Sequence, residues 1–495
     1  MTAAKSAVRR AALFLLILPL LTFCAKGEEP EMSTVPVVLQ KSYKKAAENN
    51  PLYTQRFGAD PGVMEYNGRL YVYMTDDLLE YDSKGNVKEN SYQQIMTINC
   101  ISSDDLVNWT DHGKIYVAGP RGAATWAAHS WAPCAAHKTI DGKEKFFLYF
   151  CNGGDGIGVL CADSPVGPWR DERGSLLITR AVPNCADVTW LFDPAVMVDE
   201  DGTGYLAFGG GVPEGKQSAP GTGRIVKLAD DMIHLDGDPI RLDVPWLFED
   251  SGINRVGDKY YYTYCSNFMT KGNDLRLTDG AIQYMIADNP LGPYTYMGEL
   301  FPNEGRFFGM YGNNHHSLAC LNGEWYLFYH NRPVEKAMGI TGNYRSPQVD
   351  RIFFGEDGLP KQVKGTMKGL DQLKPVDPFH TVSASTMSHQ AGITAYGADG
   401  RSWITGESGS WIRISGVDFG TEAATLAITA MAPTDCTIYA VLDDPKSSVV
   451  SRVRITIPDD GQPAAFSAPI TAEGVHDLYL ITDGPMKLFS WIVKK

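Results

Sequence analysis

Five times along the sequence a turn built on glycine runs straight into a strand dense in aromatic and aliphatic side chains, at residues 66–73, 141–150, 201–208, 256–264 and 322–329. The turn glycines Gly68, Gly142, Gly202, Gly257 and Gly323 stand 74, 60, 55 and 66 residues apart. With strands of about five or six residues, each interval holds one four-stranded antiparallel sheet and its loops. A second phrase keeps the same spacing: Ala162-Asp-Ser-Pro-Val-Gly-Pro-Trp169 returns as Ala287-Asp-Asn-Pro-Leu-Gly-Pro-Tyr294, and Ile101-Ser-Ser-Asp-Asp-Leu-Val-Asn-Trp109 fills the equivalent place in the first unit. Helical periodicity is scarce, and 24 Tyr, 20 Phe and 10 Trp suit strands and stacking surfaces. Radial repetition leaves only short, protected sheet edges, so the expected fold class is all-β, a five-bladed β-propeller. The competing arrangement strings the same hairpins into a long sandwich.

In a propeller, equivalent positions on the innermost strands meet around a common axis. Counting back eight or nine residues from the turn glycines gives Asp60, Asp193, Glu249 and His315, with Cys134 in the second unit. Each acid follows an aromatic within three residues, as in Phe57-Gly-Ala-Asp60, Phe192-Asp193 and Phe248-Glu249. Carboxyl groups gathered on one axis repel one another and spread their pKa values, so one is held protonated while others stay ionised. A carboxylic acid and a carboxylate flanking one bond are the working parts of glycoside hydrolysis: one protonates the leaving oxygen, the other activates water. An inverting enzyme keeps the two roughly 6.5–9.5 Å apart, a retaining one about 5 Å.

The phrases around these acids are Arg56-Phe-Gly-Ala-Asp60-Pro, Phe192-Asp193-Pro-Ala-Val-Met-Val-Asp and Phe248-Glu249-Asp-Ser-Gly-Ile-Asn254. Together with Asn313-Asn-His-His-Ser317 and Tyr344-Arg345-Ser-Pro-Gln-Val-Asp350-Arg, they resemble glycoside hydrolase family 43 over about residues 51–360. Within that family the wording is most similar to the branch that removes arabinofuranose from arabinoxylan. The resemblance implies an inverting enzyme acting on plant cell-wall polysaccharide, with Asp60 as general base, Glu249 as general acid, and Asp193 raising the acid's pKa and orienting it. It implies Asn314 and Arg345 as grips on the cleaved sugar, and a central calcium bordered by His315 rather than His316. Calcium prefers six to eight oxygen ligands, so a lone imidazole is not by itself such a site. Trp126, Trp131 and Phe248 offer faces for a sugar ring or pack between blades. The alternatives are a β-xylosidase or arabinanase of the same family, and a noncatalytic surface lipoprotein that captures glycans. No HExxH or CxxC pair marks a zinc site, and no GxSxG marks a serine esterase.

Ahead of this region Lys5, Arg9 and Arg10 precede thirteen apolar residues, 11–23, the length of a signal-peptide core rather than a membrane span. The protein is expected to be exported. Cys24 after Leu21-Thr-Phe23 resembles a bacterial lipobox, with Phe23 where a small residue is usual. Cys24 is thus the expected lipidation site, with 24–48 a tether at the bacterial surface or periplasm, and unanchored secretion is the alternative. The eight later cysteines lie in strand-like runs without paired spacing and are expected as buried free thiols. With 44 basic against 58 acidic residues and a net charge of −14, nucleic acid is not an expected partner.

Residues 49–360 thus form the expected catalytic domain. Residues 361–378, with Pro375 and Pro378, read as a linker. Short alternating strands over 379–495 predict a β-sandwich. Gly409-Ser-Trp411-Ile-Arg-Ile-Ser-Gly-Val-Asp418 and Gly474-Val-His-Asp-Leu-Tyr479 resemble carbohydrate-binding module family 6, which implies either glycan binding or a packing partner for the propeller.

Overall fold

The structure, a computed structural model, describes residues 34–398, 400–457 and 461–495. The leader at 1–23 and Cys24 lie outside the described residues. The turns form as their residues dictate. Asn67-Gly68, Asp141-Gly142 and Asn322-Gly323 have positive φ at both positions, a type I′ geometry whose twist matches that of the flanking strands.

Five antiparallel sheets follow one another, opened by the strands Ala59–Tyr66, Trp131–Ile140, Ala195–Val198, Leu247–Val256 and His316–Leu321. The first, third and fourth contain four consecutive strands of their own unit and the second and fifth three, so four strands per unit is too many for two of them. The opening strands touch in a closed cycle: first and second, second and third, third and fourth, fourth and fifth, fifth and first. Between neighbouring sheets lie separate apolar cores. Tyr73 meets Phe146 and Phe150, Tyr149 meets Leu206 and Phe208, and Ile225 meets Tyr262 and Tyr264. Tyr261 and Ile282 meet Leu327 and Tyr329, and Leu70 and Val72 meet Tyr326 and Phe328, which closes the ring. Each such side chain contributes roughly 1.5–3 kcal/mol on burial.

Four of the five opening strands carry a kink at or near their start. Asp60, Ala132, Asp193 and Asp250 have φ of 50°, 38°, 49° and 66°, values few non-glycine residues adopt. In three strands the pairing register shifts at or beside the kink, between Ala59 and Gly62, Trp131 and Cys134, and Glu249 and Gly252. Bulges of this kind re-aim side chains. They also spoil counting from the turns: the position equivalent to Asp60 and Asp193 is Ala132 rather than Cys134, and Asp250 rather than Glu249. A bulge adds a residue without lengthening the strand.

Beyond the fifth sheet, two further sheets enclose one core. One contains Thr394–Ala398, Arg401–Gly406, Thr425–Met431, Ala464–Pro469 and Met486–Lys494; the other contains His389–Ala391, Trp411–Asp418, Cys436–Leu442, Val449–Ile455 and Val475–Thr482. Ile404, Ile414, Leu426, Ile428, Leu478, Leu480 and Trp491 fill the space between them.

This unit is fastened to the five-sheet ring. Thr386–Met387 adds an edge strand to the first sheet, and a Cβ on Gly397 would lie 1.7 Å from the His112 carbonyl, so the backbones touch there. The stretch read as a linker is strapped down: Val363 N–H donates to Leu300 O, Leu373 N–H to Asp105 O, and the Asn50 amide to Thr366 O. The described part of the tether is also packed, because Val35, Val37 and Leu39 alternate and lay one apolar face on Trp411, Tyr439 and Tyr479. Asn108 ties the two units by mimicking a strand: its Nδ2 donates to Ser415 O at 2.9 Å and its Oδ1 accepts from Ser415 N–H at 2.8 Å. Asn108→Ala leaves the Ser415 N–H unpaired, while Ser415 O keeps its bond from Gln372 at 3.0 Å, and is expected to lower unfolding free energy by about 1–3 kcal/mol, measured by denaturant titration. An unchanged midpoint would show that the contact adds nothing to docking.

Candidate active site

The kinked strand ends deliver their side chains to one place. His315, immediately before the fifth opening strand, has Nδ1 3.7 Å from Asp60 Oδ1 and 4.0 Å from Asp193 Oδ2, with Nε2 3.1 Å from Asp250 Oδ1. Carboxyl groups from three other sheets therefore converge on one imidazole of the fifth. All are buried, Asp60 at 5% and Glu249 at 9% exposure.

Asp60 is an ionised carboxylate. Its Oδ1 accepts from Arg345 at 2.8 Å and its Oδ2 from the Thr75 hydroxyl at 2.7 Å. Thr75 Oγ1 in turn accepts from Ala132 N–H at 2.8 Å, which leaves its single proton for Asp60. Burial alone would raise the Asp60 pKa, but Arg345 first, then His315 and the Thr75 hydroxyl, bring it down to about 2. His330 is neutral: Nδ1 accepts from Asp60 N–H at 3.0 Å, Nε2 faces Asn313 O at 3.1 Å, and burial, then Arg345, depresses its pKa to about 3.

Glu249 lies at the opposite extreme. Burial, then the charges of Asp193, Asp250 and Asp60, hold its pKa well above the usual carboxylate range, with Arg345 opposing. Its Oε1 is buried without a hydrogen-bond partner. A buried acid with a free oxygen is costly unless that oxygen has a task. Asp193 lies between the two, pushed up to about 6 by burial against the pull of His315, with Asp60 adding to the rise. Its Oδ2 accepts from Asp250 N–H at 2.8 Å and its own N–H points at Cys151 Sγ at 3.0 Å. The eight cysteines 100–436 are free, as expected, and six of them are buried.

Arg345 is more occupied than a sugar grip would be. It clamps Asp77 through Nε at 2.9 Å and NH2 at 2.8 Å while NH1 holds Asp60, and its guanidinium lies 5.1 Å from the Tyr92 ring centroid. Asn314 is fully buried, with Nδ2 donating to Gly280 O at 3.0 Å and Oδ1 unpartnered. Trp131 donates Nε1 to Tyr92 O at 3.0 Å and so stands one residue from the Arg345 cluster. Phe248, beside Glu249, lies edge-on to Trp190 at 5.3 Å and to Phe268 at 5.1 Å. Trp126 belongs elsewhere: it stacks on Phe150 at 6.1 Å in the core between the first and second sheets and donates to Asp171.

His315 does not fit a calcium cage built by protein side chains. Both its nitrogens face carboxylates, and among the described residues no group of three or more His, Cys, Asp or Glu is arranged to hold a metal. His316 is further removed, with Nδ1 in a short contact to Asp250 Oδ2 and Nε2 2.7 Å from Thr263 Oγ1.

Sequence reasoning missed Thr75, Asp77, Tyr92, Asp250 and His330. Asp77 and His330 do carry a sequence signal, as polar residues at or just beyond the far end of a strand whose other end follows a turn glycine. Tyr92 sits in a loop between the second and third strands of the first sheet, where no periodicity operates.

Residues 48–360 match the family described as Glycosyl hydrolases family 43. An arabinoxylan arabinofuranohydrolase of Paenibacillus polymyxa is 43% identical over 459 residues, 88% of this chain and 72% of its own length. One from Bacillus subtilis (strain 168) is 39% identical over 501 residues, covering 96% of each. The crystal structure of a glycoside hydrolase family 43 arabinoxylan arabinofuranohydrolase from Bacillus subtilis, in complex with cellotetraose, overlays with a TM-score of 0.89 at 37% identity, over 92% of this chain and 99% of that one.

Proposed function

This chain belongs to glycosyl hydrolase family 43, and from that premise we propose that it removes α-L-arabinofuranosyl units from arabinoxylan or a related hemicellulose by single displacement with inversion. The observation that carries this reading is the opposed state of two buried carboxyl groups at one site, Asp60 lowered to about 2 and Glu249 raised with a free oxygen. Asp60 takes a proton from a water as its oxygen attacks the anomeric carbon. Glu249 gives its proton to the glycosidic oxygen as that bond breaks. Asp193 keeps Glu249 protonated, and Arg345 acts through Asp60 rather than on the sugar alone. Asn314, fully buried with Nδ2 on Gly280 O, shapes the wall behind the site rather than offering a free surface to the sugar.

In this reading the five sheets are blades of a propeller over 49–360, and the two later sheets a β-sandwich that props it. The closed cycle of opening strands and the Asn108 contact support that division. Export and lipidation at Cys24 belong to the same proposal. Calcium near His315 would take its oxygens from water, and no step above depends on it.

The test is product analysis by NMR on arabinoxylan. Arabinose is expected as the released sugar, appearing first as the β-anomer before mutarotation. Xylose alone would move the chain to the xylosidase branch, and an initial α-anomer would defeat the inverting assignment.

A further inference from the structure

The strand Ser346–Ile352 starts beside Arg345 in the catalytic pocket and runs away from it, so at about 3.3 Å per residue Arg351 lies roughly 20 Å from Arg345. At that far end a groove of about 850 Å³ opens between the fifth sheet and residues 361–373. Its floor is apolar, since Leu106, Tyr326, Val363 and Leu370 are all buried. Its rim is cationic, formed by Arg351, Lys361, Lys364 and Lys368.

The walls are held in place along their length. Lys361 N–H donates to Phe353 O at 2.7 Å and Gly369 N–H to Thr366 Oγ1 at 3.0 Å, while Asn49 donates its N–H to Lys368 O at 2.9 Å and its Nδ2 to Leu370 O at 2.7 Å. Arg351 pairs with Glu324 and lies 5.0 Å from the Phe353 ring centroid, and that ring stays 58% exposed at the lip. Lys368 pairs with Asp371 at 2.8 Å. Lys361 and Lys364 are exposed and, among the described residues, paired with no carboxylate. In a chain of net charge −14, two unpaired cations over an apolar floor and beside an open ring favour an anion that also has an apolar face. A uronosyl unit has that character: a carboxylate on one edge of a ring whose C–H face packs on aromatic and aliphatic side chains.

We propose that this groove is a second, noncatalytic binding site for polysaccharide bearing uronate groups, with Lys361 and Lys364 taking the carboxylates and Phe353 the sugar face. It lies apart from Asp60 and Glu249, so a chain bound there leaves the catalytic pocket free, and the protein is held on an acidic polymer while the pocket works on a neighbouring chain. Polysaccharide as the ligand class rests on the proposed function, whereas the site itself is read out by binding and not by hydrolysis.

The experiment measures binding to glucuronoxylan, and to the same polymer after its carboxyl groups are reduced to alcohols, by titration calorimetry at low ionic strength. The wild type is expected to prefer the uronate form, with an affinity that falls as salt rises. Lys361→Glu combined with Lys364→Glu is expected to weaken binding to that form about tenfold and Phe353→Ala about threefold, both with an unchanged kcat/KM on an aryl arabinofuranoside. Lys143→Glu, which reverses an exposed cation on the second sheet, is expected to bind as the wild type does. No preference for the uronate form, a charge-reversed or Phe353 variant that binds as tightly as the wild type, or an equal loss in Lys143→Glu would each overturn the site. Tighter binding to phosphatidylglycerol vesicles than to the polymer would also overturn it, making the groove a membrane contact. Uronate binding without any arabinose release from arabinoxylan would bring down the proposed function and leave this site standing.

Discussion

Asp60→Asn is expected to lower kcat on arabinoxylan by about 10³, with KM nearly unchanged. The amide has the shape of the carboxylate and keeps an oxygen for Thr75 or Arg345, but it cannot take the proton of the attacking water. The fold should survive, since Arg345 remains clamped to Asp77 by backbone N–H, Nε and NH2, and a melting curve checks this. Azide discriminates general-base loss from disorder. An anion that is already a nucleophile needs no base, so azide should restore turnover in this variant and give a glycosyl azide of inverted configuration. A fall of less than tenfold, or a retained configuration in the azide product, would remove Asp60 from the role of base.

Glu249→Gln is expected to cost about 10³ on arabinoxylan and far less on a nitrophenyl arabinofuranoside, because nitrophenolate departs without a proton. Its pH profile is the sharper readout. Glu249 must be protonated to act, and its pKa is raised, so activity persists to higher pH than an ordinary carboxylic acid would allow and is lost as pH climbs past that raised value. The alkaline limb should disappear in the Gln variant. Asp193→Asn should instead move the limb to lower pH, because after burial the charge of Asp193 is the largest influence raising Glu249. Asp193, itself pushed up to about 6 by burial, exerts that influence once it is ionised. A limb that stays in place in both variants would assign it to another group.

Much of this site is legible in one dimension because the fold repeats. Turn glycines mark equivalent strands, and equivalent strands bring Asp60, Asp193 and His315 to one axis however far apart they lie in sequence. The repeat blurs at Glu249 and Asp250, where a bulge shifts the count by one. Glu249 turns its free oxygen to no partner, while Asp250, the true positional equivalent, is fully buried against His315 and His316. Arg345 was found through its neighbours in a family phrase, yet its double grip depends on Asp77 and Asp60, which lie 268 and 285 residues away in sequence. Trp126 shows the limit of composition: an aromatic residue in a loop before a strand reads equally well as a sugar platform or as packing, and contact with Phe150 makes it packing.

Sequence alone determined the all-β class, the number of repeating units and the acids at their strand openings, since turn chemistry and strand alternation are local and survive in any one unit. Only the tertiary structure decided which carboxyl is charged. That depends on distances between side chains of different sheets, on Arg345 and Thr75 reaching Asp60 while nothing reaches Glu249 Oε1. The packing of the supposed tether and linker belongs to the same category, because whether a short apolar stretch stays in solvent is settled by the surface it meets.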